Sequence, residues 1–224
     1  MHQVTDNFRP RDYWFVENAR FAAASFRLKK CARIINRMAA GRPCKLLDVG
    51  CGPAALQHLL APNINYFGID IAIHERAENL RETDIARETI TFDDQRFDFV
   101  VALGFFEYMG HLQKKKFEEI CRILASDGKF MMSYVNFNHF SRKIWPNYNN
   151  VESPGQMADS LKELFRIEKR FPASHHWRQK QPGRNSLQGI QMQINFNIPL
   201  ISRLLAVEYF FVCSPRTQNA PPVK

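Results

Sequence analysis

The chain has 224 residues, 45% of them hydrophobic and 24% charged, a balance that fits one globular domain with its own core better than two. The most apolar windows, FVVALGFFEYM and LLAVEYFFVC, are shorter than the ~18 residues that span a bilayer, and each carries an acid, so they read as buried strands. The opening MHQVTDNFRPRDYWF has no apolar stretch of the secretory kind. Five cysteines without a CxxC pair argue against a disulfide framework or a structural zinc, no metal site is expected, and a reducing, cytoplasmic location fits. The net charge of +9 is scattered along the chain, so it reads as a solvated basic surface more readily than as a nucleic-acid patch.

Both ends, MHQVTDNFRPRD and SPRTQNAPPVK, read as frayed. Residues 21–40 carry Phe21, Ala24, Leu28, Cys31, Ile35 and Met38 on one helical face, with Arg27, Lys30, Arg33 and Arg37 largely off it. Gly41 and Pro43 stop that helix. KLLDVG is a short apolar strand, after which a helix is expected to open at Pro53 and end before Pro62. NYFGID is the second strand and ENLRETDI a weak third one after a short connector. RFDFVVALG is a strong buried strand, followed by a helix over roughly residues 112–125. Asp127-Gly128 turns into the fifth strand, KFMMSYVNF. SLKELF reads as a helix, FRIEKRFPA and AVEYFFVCS as two late strands, and IPLISRLLA between them as a possible helical segment. This alternation predicts an α/β fold: a single-domain, Rossmann-like, seven-stranded and mainly parallel sheet, with an antiparallel strand at one edge and helices on both faces.

The stretch LLDVGCGPAAL lies on the turn after the first strand, where an open parallel sheet receives ligands. Gly50-x-Gly52-x-x-Ala55 satisfies a dinucleotide fingerprint, and a helix opening at Pro53 would offer its N–H groups to an anion. The acids point elsewhere. Asp48, two residues before Gly50, would repel a pyrophosphate and suit an ammonium or sulfonium group. Asp70 closes the second strand and can accept from two ribose hydroxyls. Asp84-Ile85 offers an acceptor for an adenine amine and an apolar wall beside it.

With LLDVGCGPA, YFGIDIA, TDI, FDFVVALGFFEYM and ILASDGKFMMSYVN in this order, the chain resembles the class I S-adenosylmethionine-dependent methyltransferases over about residues 45–136. The resemblance implies S-adenosylmethionine as cofactor and S-adenosylhomocysteine as product. It implies that Gly50, Cys51 and Gly52 line the methionine part and that Asp48 lies beneath the loop. Asp70 would then hold the ribose, Ile71, Asp84 and Ile85 the adenine, and Leu103 and Gly104 the methionine ammonium through their carbonyls. In many relatives an N-terminal aromatic or arginine closes over the cofactor, here Tyr13, Trp14 or Arg20. Alanine stands at position 54, where the family often has a third glycine.

The acceptor side is expected above the carboxyl ends of the fourth and fifth strands. A hydroxyl acceptor needs a base; His139 in NFNHF is the first candidate, His176 in HHW the second, and Tyr108 and His111 follow. The expected layout is one domain over 1–224, with a cap segment at 1–20, a cofactor core at 45–136, a lid or substrate loop at 137–152 and a tail at 214–224. The preferred reading is O-methylation of a small molecule such as a sugar, a lipid-linked intermediate or a secondary metabolite. Nucleic-acid methylation, a cofactor-binding scaffold and a dehydrogenase are the alternatives.

Overall fold

The computed structural model describes residues 8–22, 25–138, 148–175, 201–202 and 205–216. Two helices come first, α1 (Arg11–Asn18) and α2 (Phe26–Ala39). Then follow β1 (Cys44–Val49), β2 (Ile64–Asp70), β3 (Leu80–Glu82) and β4 (Phe97–Leu103). The chain continues through α3 (Gln113–Ile123), β5 (Leu124–Val135), α4 (Pro154–Lys162), β6 (Phe165–His175) and β7 (Ala206–Pro215). Among the described residues no helix is long and apolar enough to cross a membrane.

The seven strands form one sheet in the order β3-β2-β1-β4-β5-β7-β6. β1 to β5 run parallel, and β7 pairs antiparallel with both β5 and β6. The antiparallel pair therefore lies at one edge, as expected, with β7 inserted beside β5 and β6 outermost. Alternation along each strand gives the sheet two apolar faces. Leu46, Phe99, Val101 and Phe210 pack against Cys31 and Ile35 of α2. Leu47, Val100, Phe130 and Phe211 pack with Phe117 and Ile120 of α3 and with Met157 and Leu161 of α4. The helix ends follow from local chemistry. Ser25 caps α2 by accepting from the Leu28 amide, and the left-handed Ala40 ends it. Ser153 and Gln156 form a capping box at the start of α4, with Pro154 in the first turn.

Three expectations are corrected. No α-helix opens at Pro53; the connection from β1 to β2 is a series of turns with one short 3-10 turn at Gln57–Leu59. Its cause is the backbone at Gly52 and Ala54, both left-handed with φ of 53° and 54°, a conformation that a right-handed helix cannot propagate through. No helix-dipole site for an anion therefore exists behind the glycine loop. The short connector between β2 and β3 holds no helix. Asp127-Gly128 does not precede the fifth strand but lies inside β5, where the pairing jumps from Phe97↔Leu124 to Phe99↔Lys129. The N-terminal segment is not frayed throughout: α1 starts at Arg11.

Candidate active site

The sheet order reverses between β1 and β4, which opens a crevice at the carboxyl ends of those strands. A cavity of about 500 Å³ occupies it, within the ordinary range for small-molecule sites. Asp48, Gly50, Cys51, Gly52, Asp70 and Ile71, from the ends of β1 and β2, line one half. Asp84, Ile85, Leu103 and Gly104 complete it. All ten residues proposed for the cofactor thus line one cavity.

The turn geometry explains the glycines. Gly50 has φ +74°, and a Cβ there would lie 2.7 Å from the Phe105 ring; Gly104 has φ +68°, and its Cβ would lie 2.5 Å from the Arg27 guanidinium. Asp70 is 7% exposed. It accepts from the Gly52 amide at 2.8 Å on Oδ2, and from the Asn18 side chain and the Ala72 amide at 3.0 Å on Oδ1. Burial raises its carboxyl, while these three donors and the nearby His74 pull it back. Asp48 is buried deeper, at 3% exposed, and accepts from the Tyr66 hydroxyl at 2.9 Å. Burial is the main reason that its carboxyl is pushed up to about 7. The Cys51 thiol is also pushed well up by burial, which suits a small filler rather than a nucleophile. Asp84 reaches the cavity wall while its carboxylate pairs with Arg87 on the outer side.

Helix α1 roofs the cavity. Tyr13, Trp14 and Asn18 line it. Arg11 pairs with Glu82 at 2.7 Å, Phe15 stacks on His74, and Trp14 meets Tyr108 edge-on at 4.8 Å. The helix is therefore fastened to both the β2–β3 end and the segment after β4. The Arg20 side chain lies outside the described residues.

The other half is walled by Tyr108, Tyr148, Asn149, Val135, Glu107 and Glu208. Tyr108 lies in the wall, and burial holds its phenol above the ordinary range, so it stays protonated and offers a donor and a ring face rather than a base. His111 sits on the exposed 3-10 turn Gly110–Leu112, against Phe8, and does not line this cavity. His139 and His176 lie outside the described residues.

Three charged groups lining the cavity escaped the sequence reading. Glu107 is 1% exposed; its Oε1 accepts from the Val135 amide at 2.8 Å and its Oε2 has no hydrogen-bond partner. Burial and the neighbouring Glu208 push its carboxyl up to about 7, against the pull of Arg27. Glu208 stands opposite Val135 in the β5–β7 ladder, so the two acids flank one residue. Arg27 donates from Nη1 to Glu208 Oε1 at 2.9 Å, and Glu208 Oε2 is buried without a partner. The available signal was an acid inside each of the two most apolar windows.

Comparison with known proteins identifies the family. Residues 23–188, well over half of the chain, match the family described as a methyltransferase domain. The cyclopropane-fatty-acyl-phospholipid synthase of Escherichia coli K12 is 26% identical over 129 residues, which are 54% of this chain and 34% of that protein. The chain thus spans about a third of that relative's length. A chain of the complex between the Haloferax volcanii Trm112 methyltransferase activator and a methyltransferase superposes with TM-score 0.67 at 17% identity, over 93% of this chain and 99% of that one. A SAM-dependent methyltransferase from Archaeoglobus fulgidus gives 0.61 at 19% identity over 92% and 100%. The 1,6-didemethyltoxoflavin-N1-methyltransferase of Burkholderia thailandensis, solved with S-adenosylhomocysteine, gives 0.54 at 15% identity over 95% and 92%.

Proposed function

Because the chain belongs to the methyltransferase-domain family, whose cofactor is S-adenosylmethionine, we propose that it methylates a hydroxyl of a small molecule held beneath α1, with Glu107 receiving the hydroxyl proton. The cavity residues fit the cofactor. An acid with acceptor capacity left on Oδ2 (Asp70), two apolar side chains (Ile71 and Ile85) and a turn whose glycines keep Cβ atoms out line the same cavity. In this reading Asp70 holds the ribose, and Ile71, Asp84 and Ile85 hold the adenine. Gly50, Cys51 and Gly52 hold the methionine part, with Asp48 beneath and the Leu103 and Gly104 carbonyls on its ammonium. Held there, the cofactor would supply an electrophilic sulfonium methyl to the acceptor oxygen, leaving S-adenosylhomocysteine.

The observation that carries the assignment is Glu107. Its Oε1 is fixed by the Val135 amide, its Oε2 is buried without a hydrogen-bond partner, and a carboxyl near 7 suits general base work at neutral pH once a side-chain shift brings it to the acceptor. Alignment of the acceptor supplies the rest; the Tyr108 and Tyr148 rings and the Asn149 amide form the wall that would hold it. His139 and His176 remain proposed as further contributors to proton transfer. A small acceptor is supported by the cavity volume of about 500 Å³ and by the roof that α1 makes over it. The test is S-adenosylhomocysteine release across panels of phenols, alcohols, amines and transfer RNA. Turnover with hydroxyl acceptors is expected; turnover with amines or RNA alone would contradict the reading.

A further inference from the structure

From Arg20 to Lys45 the chain carries eight Lys or Arg and no acid. The fold turns the middle of this run into one surface. Within α2 only Lys29, Arg33 and Arg37 are exposed, and their four-residue spacing sets them on one ridge about 12 Å long. None of these three side chains has a hydrogen bond or an ion pair among the described residues. Cations on the other surface helices are neutralised: Lys114 of α3 pairs with Glu163 at 2.7 Å, and Lys162 of α4 with Asp159 at 2.8 Å. Like charges four residues apart destabilise a helix, so the ridge is unfavourable to the fold. Lys30, half-buried next to it, is held below the ordinary lysine range first by burial and then by the Arg33 charge. Exposed Lys169 of β6 adds to the same side, because its register partner Val212 packs with α2.

Apolar side chains stand where the ridge starts. α2 begins at the cavity, whose wall Arg27 and Leu28 line, and Lys29 follows them directly. Phe21, just before α2, lines the same cavity and is half-exposed. Phe15 and Val16 of the roof helix α1 are exposed too, Val16 at 65%. These are three of the five exposed large hydrophobic side chains among the described residues. A row of cations fits phosphates, whether of a nucleic acid or of lipid headgroups. The apolar side chains decide between the two. An aliphatic side chain such as Val16 gains nothing on a nucleic-acid backbone, whereas a bilayer takes apolar groups at the headgroup boundary and cations at its phosphates.

We propose that the Lys29–Arg33–Arg37 ridge, with Val16 and Phe21 beside its start, docks the protein on an anionic lipid bilayer. Two weak signals, a few cations and a few apolar side chains, give reversible attachment. The attraction of each cation fades within a Debye length, so attachment is sensitive to salt. Because α2 starts at the cavity, docking sets the cavity rim near the headgroups. Attachment of this kind does not depend on which atom of the acceptor is methylated.

The test is co-sedimentation of the full chain with vesicles of phosphatidylcholine alone and of phosphatidylcholine mixed with phosphatidylglycerol. Binding to the mixed vesicles is expected to be at least about tenfold tighter than to the neutral ones, and to be lost in about 1 M salt. Lys29→Gln, Arg33→Gln and Arg37→Gln combined are expected to lower affinity for the mixed vesicles at least about tenfold, and Val16→Ser to lower it severalfold. None of these four residues lines the cavity. A wild-type thermal shift with S-adenosylhomocysteine therefore verifies that both variants are folded. No binding to the mixed vesicles, equal binding to the neutral ones, or wild-type affinity in either variant would overturn the inference. Transfer RNA bound through the ridge, without vesicle binding, would assign the surface to nucleic acid and overturn the bilayer as its partner.

Discussion

Asn18, at the end of α1, donates its side-chain amide to Asp70 Oδ1 at 3.0 Å, which ties the roof of the cavity to the residue proposed to hold the ribose. With Gly52 and Ala72 also donating, Asp70 uses three of its roughly four acceptor positions within the protein. In the proposed function the remaining one, on Oδ2, receives a ligand hydroxyl. Asp70→Ala is expected to weaken S-adenosylhomocysteine binding by about 1.5–3 kcal/mol, the scale of a hydrogen bond to a charged group. Asn18→Ala is expected to lower stability by about 1 kcal/mol and to leave the dissociation constant within a few-fold. Calorimetry on the two variants checks both; an unchanged dissociation constant for Asp70→Ala would remove it from the ribose site.

Ala54 holds φ 54°, a left-handed conformation that disfavours an L side chain by about 1–2 kcal/mol. Glycine there relieves that strain but adds freedom to the unfolded chain, which offsets part of the gain. Ala54→Gly is expected to raise the stability by about 0.5–1 kcal/mol, and Ala54→Val to lower it, since a β-branched side chain is poorly tolerated at positive φ. Urea midpoints for the three proteins decide this; a loss of stability with glycine would contradict it.

Gly50 is constrained twice, by φ +74° and by the Phe105 ring 2.7 Å from where its Cβ would stand. Gly50→Ala is expected to shift Phe105 into the crevice and to weaken S-adenosylhomocysteine binding at least about tenfold, in addition to a stability loss of about 1–2 kcal/mol from the backbone. Binding measured on folded variant protein tests it, and wild-type affinity would speak against the cradle.

Asp48 gives a signed pH effect. Its carboxyl lies at about 7 in the folded protein against an ordinary 3.8. Below about pH 4 both states hold the proton, and the group is neutral to stability. Between about 4 and 7 the unfolded chain has lost its proton and the folded one keeps it, so stability falls as pH rises, with the full penalty above 7. That gap sets an upper bound of about 4 kcal/mol. Asp48→Asn, which can still accept from Tyr66, is therefore expected to be more stable than wild type at pH 8 and to converge with it near pH 4.5. Melting temperatures at the two pH values test this, and a constant difference would contradict it.

The strands were legible because β1, β4 and β5 are apolar on both faces and bounded by turns, so composition alone sets them apart. The family motif was legible because its glycines and acids stand at fixed offsets in the sequence. α1 was not, since its residues are held to the rest of the fold through rings and an ion pair rather than through a continuous apolar stripe. A helix at Pro53 looked well signalled by proline, yet the conformation of Ala54 overrides it, and only tertiary structure dictates that conformation. Arg27 read as part of a solvent face, because periodicity cannot reveal that an acid from β7, 181 positions away, meets it. Glu107 and Glu208 stood out only as acids in apolar windows; their meeting depends on the β5–β7 register.

The central claim, that Glu107 takes the acceptor's proton, is tested most directly by the pH dependence of S-adenosylhomocysteine formation with the preferred hydroxyl acceptor, in wild type and Glu107→Gln. The wild-type rate should rise as pH climbs through about 7, since the base must be ionised. The variant should lose that limb and about 10²–10⁴ of kcat while its affinity for S-adenosylhomocysteine is unchanged. A Glu107→Gln protein with wild-type kcat and the same pH profile would contradict the account.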